Sequence, residues 1–432
     1  MDCTQKSFGH LDSPFQPSFK QRKKEIMKIK LFIPLVVVFG LLIASCADSY
    51  EGAPIKGMEA QTTAQVTPIA VKKTNQMQIY AHFMPWFETS TSNKLNEGKW
   101  GYHWTMKNCD PNKTDAKGKR EIASHYYPLT GPYASGDEAV LDYQCLLMKY
   151  AGVDGVMVDW YGMNSDNTVA LHKSNTEALF RALKRAGLKM SVVYEDNSLS
   201  GAADKVTAAR QDMRYLAETF FKDDSYVKVD GRPLLLDFGP QQMVTGKDWY
   251  RTFSILSAQP MFLVLNGHSN LANEGSYTNN AQGEYTWVNP SPDYADAKKF
   301  ECYVGGAMPG FWDYYKDGGT GNGYTTYDRE NGALFLRQLN AAKAAGLSYL
   351  QISTWNDYGE GTTIEPTLEY GYKYLVMLQQ FAGVSYQQSD LELIYRWYQV
   401  RVAHPGSEKV TEAYNDLIQL KTAEAKAILD AF

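Results

Sequence analysis

Between Gln78 and Asp357 the chain alternates apolar, β-prone runs with helical patterns, and this alternation constrains its fold most. Eight such runs occur: 78–86 (QIYAHFMPW), 153–162, 189–196, 232–239, 261–267, 283–289, 301–313 and 348–357. Most are near-continuous in apolar residues, as strands buried on both faces are. Helical stretches separate them, for example DEAVLDYQCLLMKYAG before the second and ENGALFLRQLNAAKAAGL before the eighth. Alternating strands and helices imply parallel pairing through right-handed crossovers. Eight units predict a (β/α)8 barrel. The competing open doubly wound sheet loses ground because no GxGxxG follows the first strand. Residues 386–432 read as C-terminal helices beyond a barrel spanning 76–385.

The N-terminus reads differently. Lys23, Lys24, Lys28 and Lys30 precede the uncharged run LFIPLVVVFGLLIAS, 31–45. That run is short for a membrane span and suits the apolar region of a signal peptide. It ends in IASC, which resembles the bacterial lipoprotein box, and the resemblance implies lipidation of Cys46. Residues 1–46 are thus expected to be an export segment. Residues 47–75, polar and without period, are expected to be a flexible, disordered tether. The protein would then sit in the cell envelope, held to a membrane by its lipid and monomeric. Cys109, Cys145 and Cys302 show no CxxC or zinc spacing, so no disulfide framework is implied, although one bridge is possible after export. A net charge of −5 with no basic block after residue 30 argues against a nucleic-acid partner.

In such a barrel the chemistry lies at the carboxyl ends of the strands. Five of the nine Trp residues fall there: Trp86, Trp160, Trp287, Trp312 and Trp355. Carboxylates stand at strand ends too, among them Asp159, Glu195, Asp313 and Asp357. Flat sugar faces stack on aromatic rings, and sugar hydroxyls suit Asp, Glu and Asn. Trp86, Asp159, Trp160, Tyr161, Glu195, Trp312, Trp355 and Asn356 are therefore the candidate substrate contacts, for a polysaccharide or oligosaccharide. Packing at the barrel mouth and a salt-bridged rim are the competing readings of the same residues. His82, His103 and His125 lie in three separate segments without HExxH spacing, so neither a metal site nor any other cofactor is expected.

The stretch SYLQISTWNDYGEGTTIEP, 348–366, delivers three carboxylates from the end of the eighth strand. Glycosidic cleavage needs one carboxyl protonated and another charged. Asp357 and Glu360 are the candidate catalytic pair; two carboxyls in one cleft drive each other's pKa values apart. Glu365, held extended by Pro366, is expected to support the loop through hydrogen bonds.

At WNDYGEGTTIEP the chain resembles glycoside hydrolase family 99, the endo-α-mannosidases, and to a lesser extent the family 71 α-1,3-glucanases. The family 99 motif W-N-E-W-H-E-G-T-x-I-E-P is matched at Trp355, Asn356, Glu360, Gly361, Thr362, Ile364, Glu365 and Pro366. Further likenesses follow in order: HYYPLTGPYASGDEAV at 125–140, VDWYG at 158–162, YED at 194–196 and PGFWD at 309–313. The resemblance implies an endo-acting hydrolase of α-mannan or α-glucan type. It also implies that the carboxylate at 357 deprotonates the sugar's own 2-hydroxyl while Glu360 is the general acid. Two departures stand out: Asp replaces Glu at 357, and Tyr358-Gly359 replaces Trp-His. The alternative function, a non-catalytic glycan-binding lipoprotein on a degenerate barrel, has no need of Asp357 and Glu360 together.

Overall fold

In the computed structural model, which describes residues 66–167 and 171–432, every one of the eight apolar runs contains a strand. The strands are β1 Gln78–Phe83, β2 Gly155–Trp160, β3 Lys189–Tyr194, β4 Lys228–Val229, β5 Arg232–Asp237, β6 Met261–Leu265, β7 Gly283–Tyr285, β8 Cys302–Ala307 and β9 Tyr349–Ile352. The helices are α1 Tyr102–Thr105, α2 Glu138–Tyr150, α3 His172–Ala186, α4 Lys205–Thr219, α5 Gly246–Phe253, α6 Ser269–Ala272, α7 Ala333–Ala344, α8 Lys373–Ala382, α9 Gln388–Ala403, α10 Glu408–Ile418 and α11 Thr422–Leu429. The order β3-β2-β1-β9-β8-β7-β6-β5 is parallel throughout, and β3 pairs with β5 to close it. The result is a closed (β/α)8 barrel. The two-residue β4 lies outside it, antiparallel to the start of β5.

The period of two along each strand divides two cores. Tyr80, Met157, Val193, Leu234, Leu236, Leu263, Tyr285 and Val304 fill the barrel interior. Their neighbours Ile79, Ala81, Phe83, Val156, Val158, Trp160, Val192, Tyr194, Leu350 and Ile352 pack outward under the helices. In β7 a Cβ at Gly283 would stand 1.8 Å from the Cys302 carbonyl oxygen, so only glycine lets these two strands approach. Local chemistry starts and stops the helices where the strands require it. The Asp137 carboxylate accepts from the N–H groups of Ala139 and Val140 to cap α2, and Gly187 ends α3 in the left-handed region.

The C-terminal helices belong to the same core. Ile394, Trp397, Val410, Leu417 and Leu429 join the strand–helix cluster, the Tyr150 hydroxyl donates to the Leu417 carbonyl, and Tyr414 donates to Asp142. At the other end, the last ten residues of the range expected to be a tether, 66–75, are paired with the barrel. Ile69 N–H donates to the Ile418 carbonyl, Thr74 and Asn75 N–H groups donate to Gly383 and Ala382, and Lys73 pairs with Asp154. Residues 66–75 are therefore laid along the barrel by ordinary backbone pairing, which their polar composition did not reveal. The apolar run 31–45, Cys46 and the remainder of the tether lie outside the described residues. Cys109, Cys145 and Cys302 are all free thiols, the last two buried.

Candidate active site

The loop after β9 folds back on itself between Thr354 and Ile364. Thr354 N–H donates to the Thr362 carbonyl, Ile364 N–H returns to Thr354 and Trp355, and the Asp357 N–H donates to the Thr354 hydroxyl at 2.8 Å. At its tip Asp357 Oδ1 accepts the N–H of Glu360 at 2.9 Å. Gly361 takes a φ of +66°, and a Cβ there would meet the Trp312 carbonyl at 2.4 Å, so this position requires glycine. Arg329 clamps the far side of the loop, donating to the carbonyls of Gly361 and Thr363, with its guanidinium among the rings of Tyr126, Tyr370 and Tyr374.

The two carboxyls at this tip have different surroundings. Asp357 is 3% exposed, and burial pushes its pKa up to about 7, against the pull of the Glu360 and Gly359 N–H groups. Glu360 is pushed well above the carboxylate range, by burial first and then by the charge of Asp357; a hydrogen bond of 3.1 Å from the Tyr315 hydroxyl to Oε1 opposes this. Asp357 therefore ionises before Glu360, because only Asp357 receives backbone donors.

Two more carboxyls extend the group, Asp159 next to Asp357 and Glu195 next to Asp159. Asp159 continues the inward register of Met157 on β2, and Glu195 that of Val193 on β3. Both are driven well above the carboxylate range: Asp159 by burial and then by Asp357, Glu195 by burial and then by Asp159. Among the described residues no N–H or hydroxyl satisfies either oxygen of Asp159, so it and Glu195 can hydrogen-bond only by sharing a proton. Buried carboxyl oxygens without donors suit ligand hydroxyls. Tyr161 completes the group: burial first, and then the charges of Glu195, Asp159, Asp357 and Glu360, push its phenol well above its ordinary range. The residues that converge at the mouth are thus Asp159, Tyr161, Glu195, Asp357 and Glu360.

Several residues expected at the site face elsewhere. Trp160 is fully buried, stacked on Tyr215 with centroids 5.7 Å apart and planes at 7°, in the layer between strands and helices. The alternation that turns Asp159 inward turns Trp160 outward. Trp355 is fully buried in the same layer. Asn356 has its side chain fully engaged: Oδ1 accepts from Met84 N–H at 2.8 Å, and Nδ2 donates to the Met84 carbonyl and the Tyr133 hydroxyl. It pins the residue after β1 to the strand-nine loop, with no polar atom left for a ligand. The Asp313 carboxylate caps its own loop, accepting from Tyr315 and Tyr324 N–H groups. Trp86 is nearly buried, with one face covered by His103 at 4.0 Å. Trp312, by contrast, is 47% exposed.

Glu365 is buried and accepts three hydrogen bonds, from Tyr133 and Tyr358 hydroxyls at 2.8 Å each and from Gln144 Nε2 at 2.7 Å. It ties α2 and the loop before it to the strand-nine loop. Sequence reasoning missed Tyr133, Gln144, Tyr315 and Arg329. Each acts on the loop from a separate segment, and none carries a local signature.

No family model matches the chain. An endo-α-1,2-mannosidase-like protein of Danio rerio is 24% identical over 272 residues, which cover 57% of this chain and 60% of that protein. The glycoprotein endo-α-1,2-mannosidase of Xenopus laevis is 23% identical over 275 residues, with the same coverage. The chain thus spans 60% of the length of these two relatives. The family 99 endo-α-mannosidase of Bacteroides thetaiotaomicron superposes with a TM-score of 0.56 at 20% identity, over 72% of this chain and 97% of that one, a likeness of fold.

Proposed function

We propose that this chain, similar in sequence and fold to the endo-α-mannosidases of glycoside hydrolase family 99, hydrolyses α-linked glycans of the mannan type at internal bonds. The observation that carries the reading is the unlike pair at one loop tip: Asp357, held by backbone donors and ionised first, and Glu360, kept protonated beside it. That division of protonation is what an acid and a base at one bond require.

In this reading Glu360 donates its proton to the glycosidic oxygen as the bond to C1 breaks. Asp357 takes the proton of the 2-hydroxyl, whose oxygen closes on C1 from the opposite face. Water then opens that ring, giving its proton to Glu360, while Asp357 returns a proton to O2. Two displacements at C1 leave the anomeric configuration unchanged. Asp159, Glu195 and Tyr161 hold the hydroxyls of the sugar at the cleavage point. Upstream, Cys46 carries a lipid that anchors a monomer in the cell envelope. Radiolabelled palmitate entering the wild type but not Cys46→Ser is the expected sign of this.

The test of the activity is Glu360→Gln on an α-mannan oligosaccharide. Turnover is expected to fall at least about 100-fold with folding and glycan binding retained, and proton NMR of the wild-type product is expected to show the α-anomer first. Full turnover by Glu360→Gln would reject the acid assignment. A β-anomer would mean that Asp357 activates water instead. Binding by wild type without cleavage of α-mannan or α-glucan would leave a glycan-binding protein.

A further inference from the structure

Among the strand-end tryptophans, Trp312 is the most exposed and has a ring stacked on one face, whereas Trp287 is only partly exposed and meets the His82 and Phe238 rings edge-on. The Trp312 indole stacks on the His125 ring at 3.7 Å and 12°, and the Tyr126 ring meets it edge-on at 6.4 Å. His125 is fixed in turn, its Nε2 lying 3.1 Å from the Asp313 carbonyl. One face of the indole is therefore covered by a held ring, while nearly half of the residue stays open to solvent.

The backbone of Trp312 is bound to the acid. Trp312 N–H donates to the Glu360 carbonyl at 3.0 Å and Tyr314 N–H to the Gly359 carbonyl at 2.8 Å. The Tyr315 hydroxyl reaches Glu360 Oε1, and the Trp312 carbonyl is packed against Gly361. The indole and the Glu360 carboxyl thus ride on one fixed unit. Of the other carboxyls, Asp159 interacts with Asp357, and Glu195 with Asp159 behind it.

From this arrangement we infer that Trp312, backed by His125, is the stacking platform for the leaving-group sugar, the unit on the reducing-end side of the cleaved bond. The inference rests on the hydrolase reading and deepens it. A general acid must lie within hydrogen-bond reach of the oxygen that departs with that sugar. An aromatic face carried on the acid's own support meets the departing ring, and the carboxyl-rich flank meets the ring that is attacked. A platform on the leaving side also selects a sugar, rather than a small leaving group, as the acceptor of the acid's proton.

The experiment compares two substrates, α-1,2-mannotetraose and α-mannobiosyl fluoride, whose leaving group is not a sugar. Trp312→Ala is expected to lose about tenfold or more in kcat/KM on the tetraose, from the lost stacking, and only about twofold on the fluoride. Trp312→Phe is expected to recover most of the tetraose rate. An equal loss on both substrates, or none on the tetraose, overturns the platform assignment. Failure of the wild type to cleave either substrate overturns the hydrolase reading and the assignment with it.

Discussion

Replacing Glu365 by Gln should change how stability depends on pH, in a direction and by an amount that the structure sets. The carboxyl is buried and receives three hydrogen bonds that favour its charged form, yet burial prevails and raises its pKa from 4.5 to about 7. The unfolded chain keeps the lower value. Below pH 4.5 both states hold the proton, and the group contributes no pH dependence. Between pH 4.5 and about 7 the unfolded state releases its proton while the folded state retains it, so the fold loses stability as pH rises. Above about 7 the loss is complete. Two and a half pH units correspond to about 3 kcal/mol. Gln fits the same pocket, because the Tyr133 and Tyr358 hydroxyls and the Gln144 amide can reorient to meet an amide.

The assay is urea unfolding of wild type and Glu365→Gln, followed by tryptophan emission from pH 4 to pH 8.5. Any fixed cost of the new hydrogen-bond pattern is the same at each pH and cancels in the difference between ends. The variant should therefore gain about 3 kcal/mol on the wild type as pH rises from 4 to 8.5. A flat difference would mean that Glu365 ionises as freely in the fold as outside it. A difference of the opposite sign would mean that its three donors outweigh its burial, and the account of this site would be wrong.

Two further expectations concern the neighbouring groups. Glycan hydrolysis should rise through about pH 7 as Asp357 loses its proton, then fall at higher pH as Glu360 loses its own, and the apparent constants belong to the coupled pair; initial rates across pH 5 to 10 check this, and activity that persists undiminished toward acid pH would exclude Asp357 as the base. Trp160→Ala should cost about 3–5 kcal/mol of stability while leaving KM near the wild-type value, since the ring packs between strand and helix; a raised KM with unchanged stability would place it in the cleft instead.

What the sequence disclosed and what it withheld follow from the range of the forces involved. Buried parallel strands are continuous apolar runs bounded by turn residues, a local property, so all eight barrel strands were legible, and with them the end of the barrel where chemistry belongs. The carboxylates at positions 159, 195, 357 and 360 followed from that end. Which way a side chain points at a strand end is also local, but only when residues are sorted by face rather than by position. Asp159 and Trp160 are neighbours, and a strand sends neighbours to opposite sides; grouping both as sugar contacts ignored that rule, and the buried stack of Trp160 on Tyr215 is its consequence. The supports of the site were illegible for a different reason. Glu365 takes two of its three hydrogen bonds from residues 232 and 221 positions earlier, and Glu360 takes one from 45 positions earlier. A Tyr or Gln that serves a distant carboxyl has the same sequence surroundings as one that serves water. Closure of the barrel, which brings β1 against β9, is what joins Asn356 to Met84, and no stretch of sequence contains both. The exposure of Trp312 belongs to this second class: its sequence setting resembles that of Trp86, and only the backbone pairing of its loop with residues 359 and 360 separates a braced open ring from a buried one.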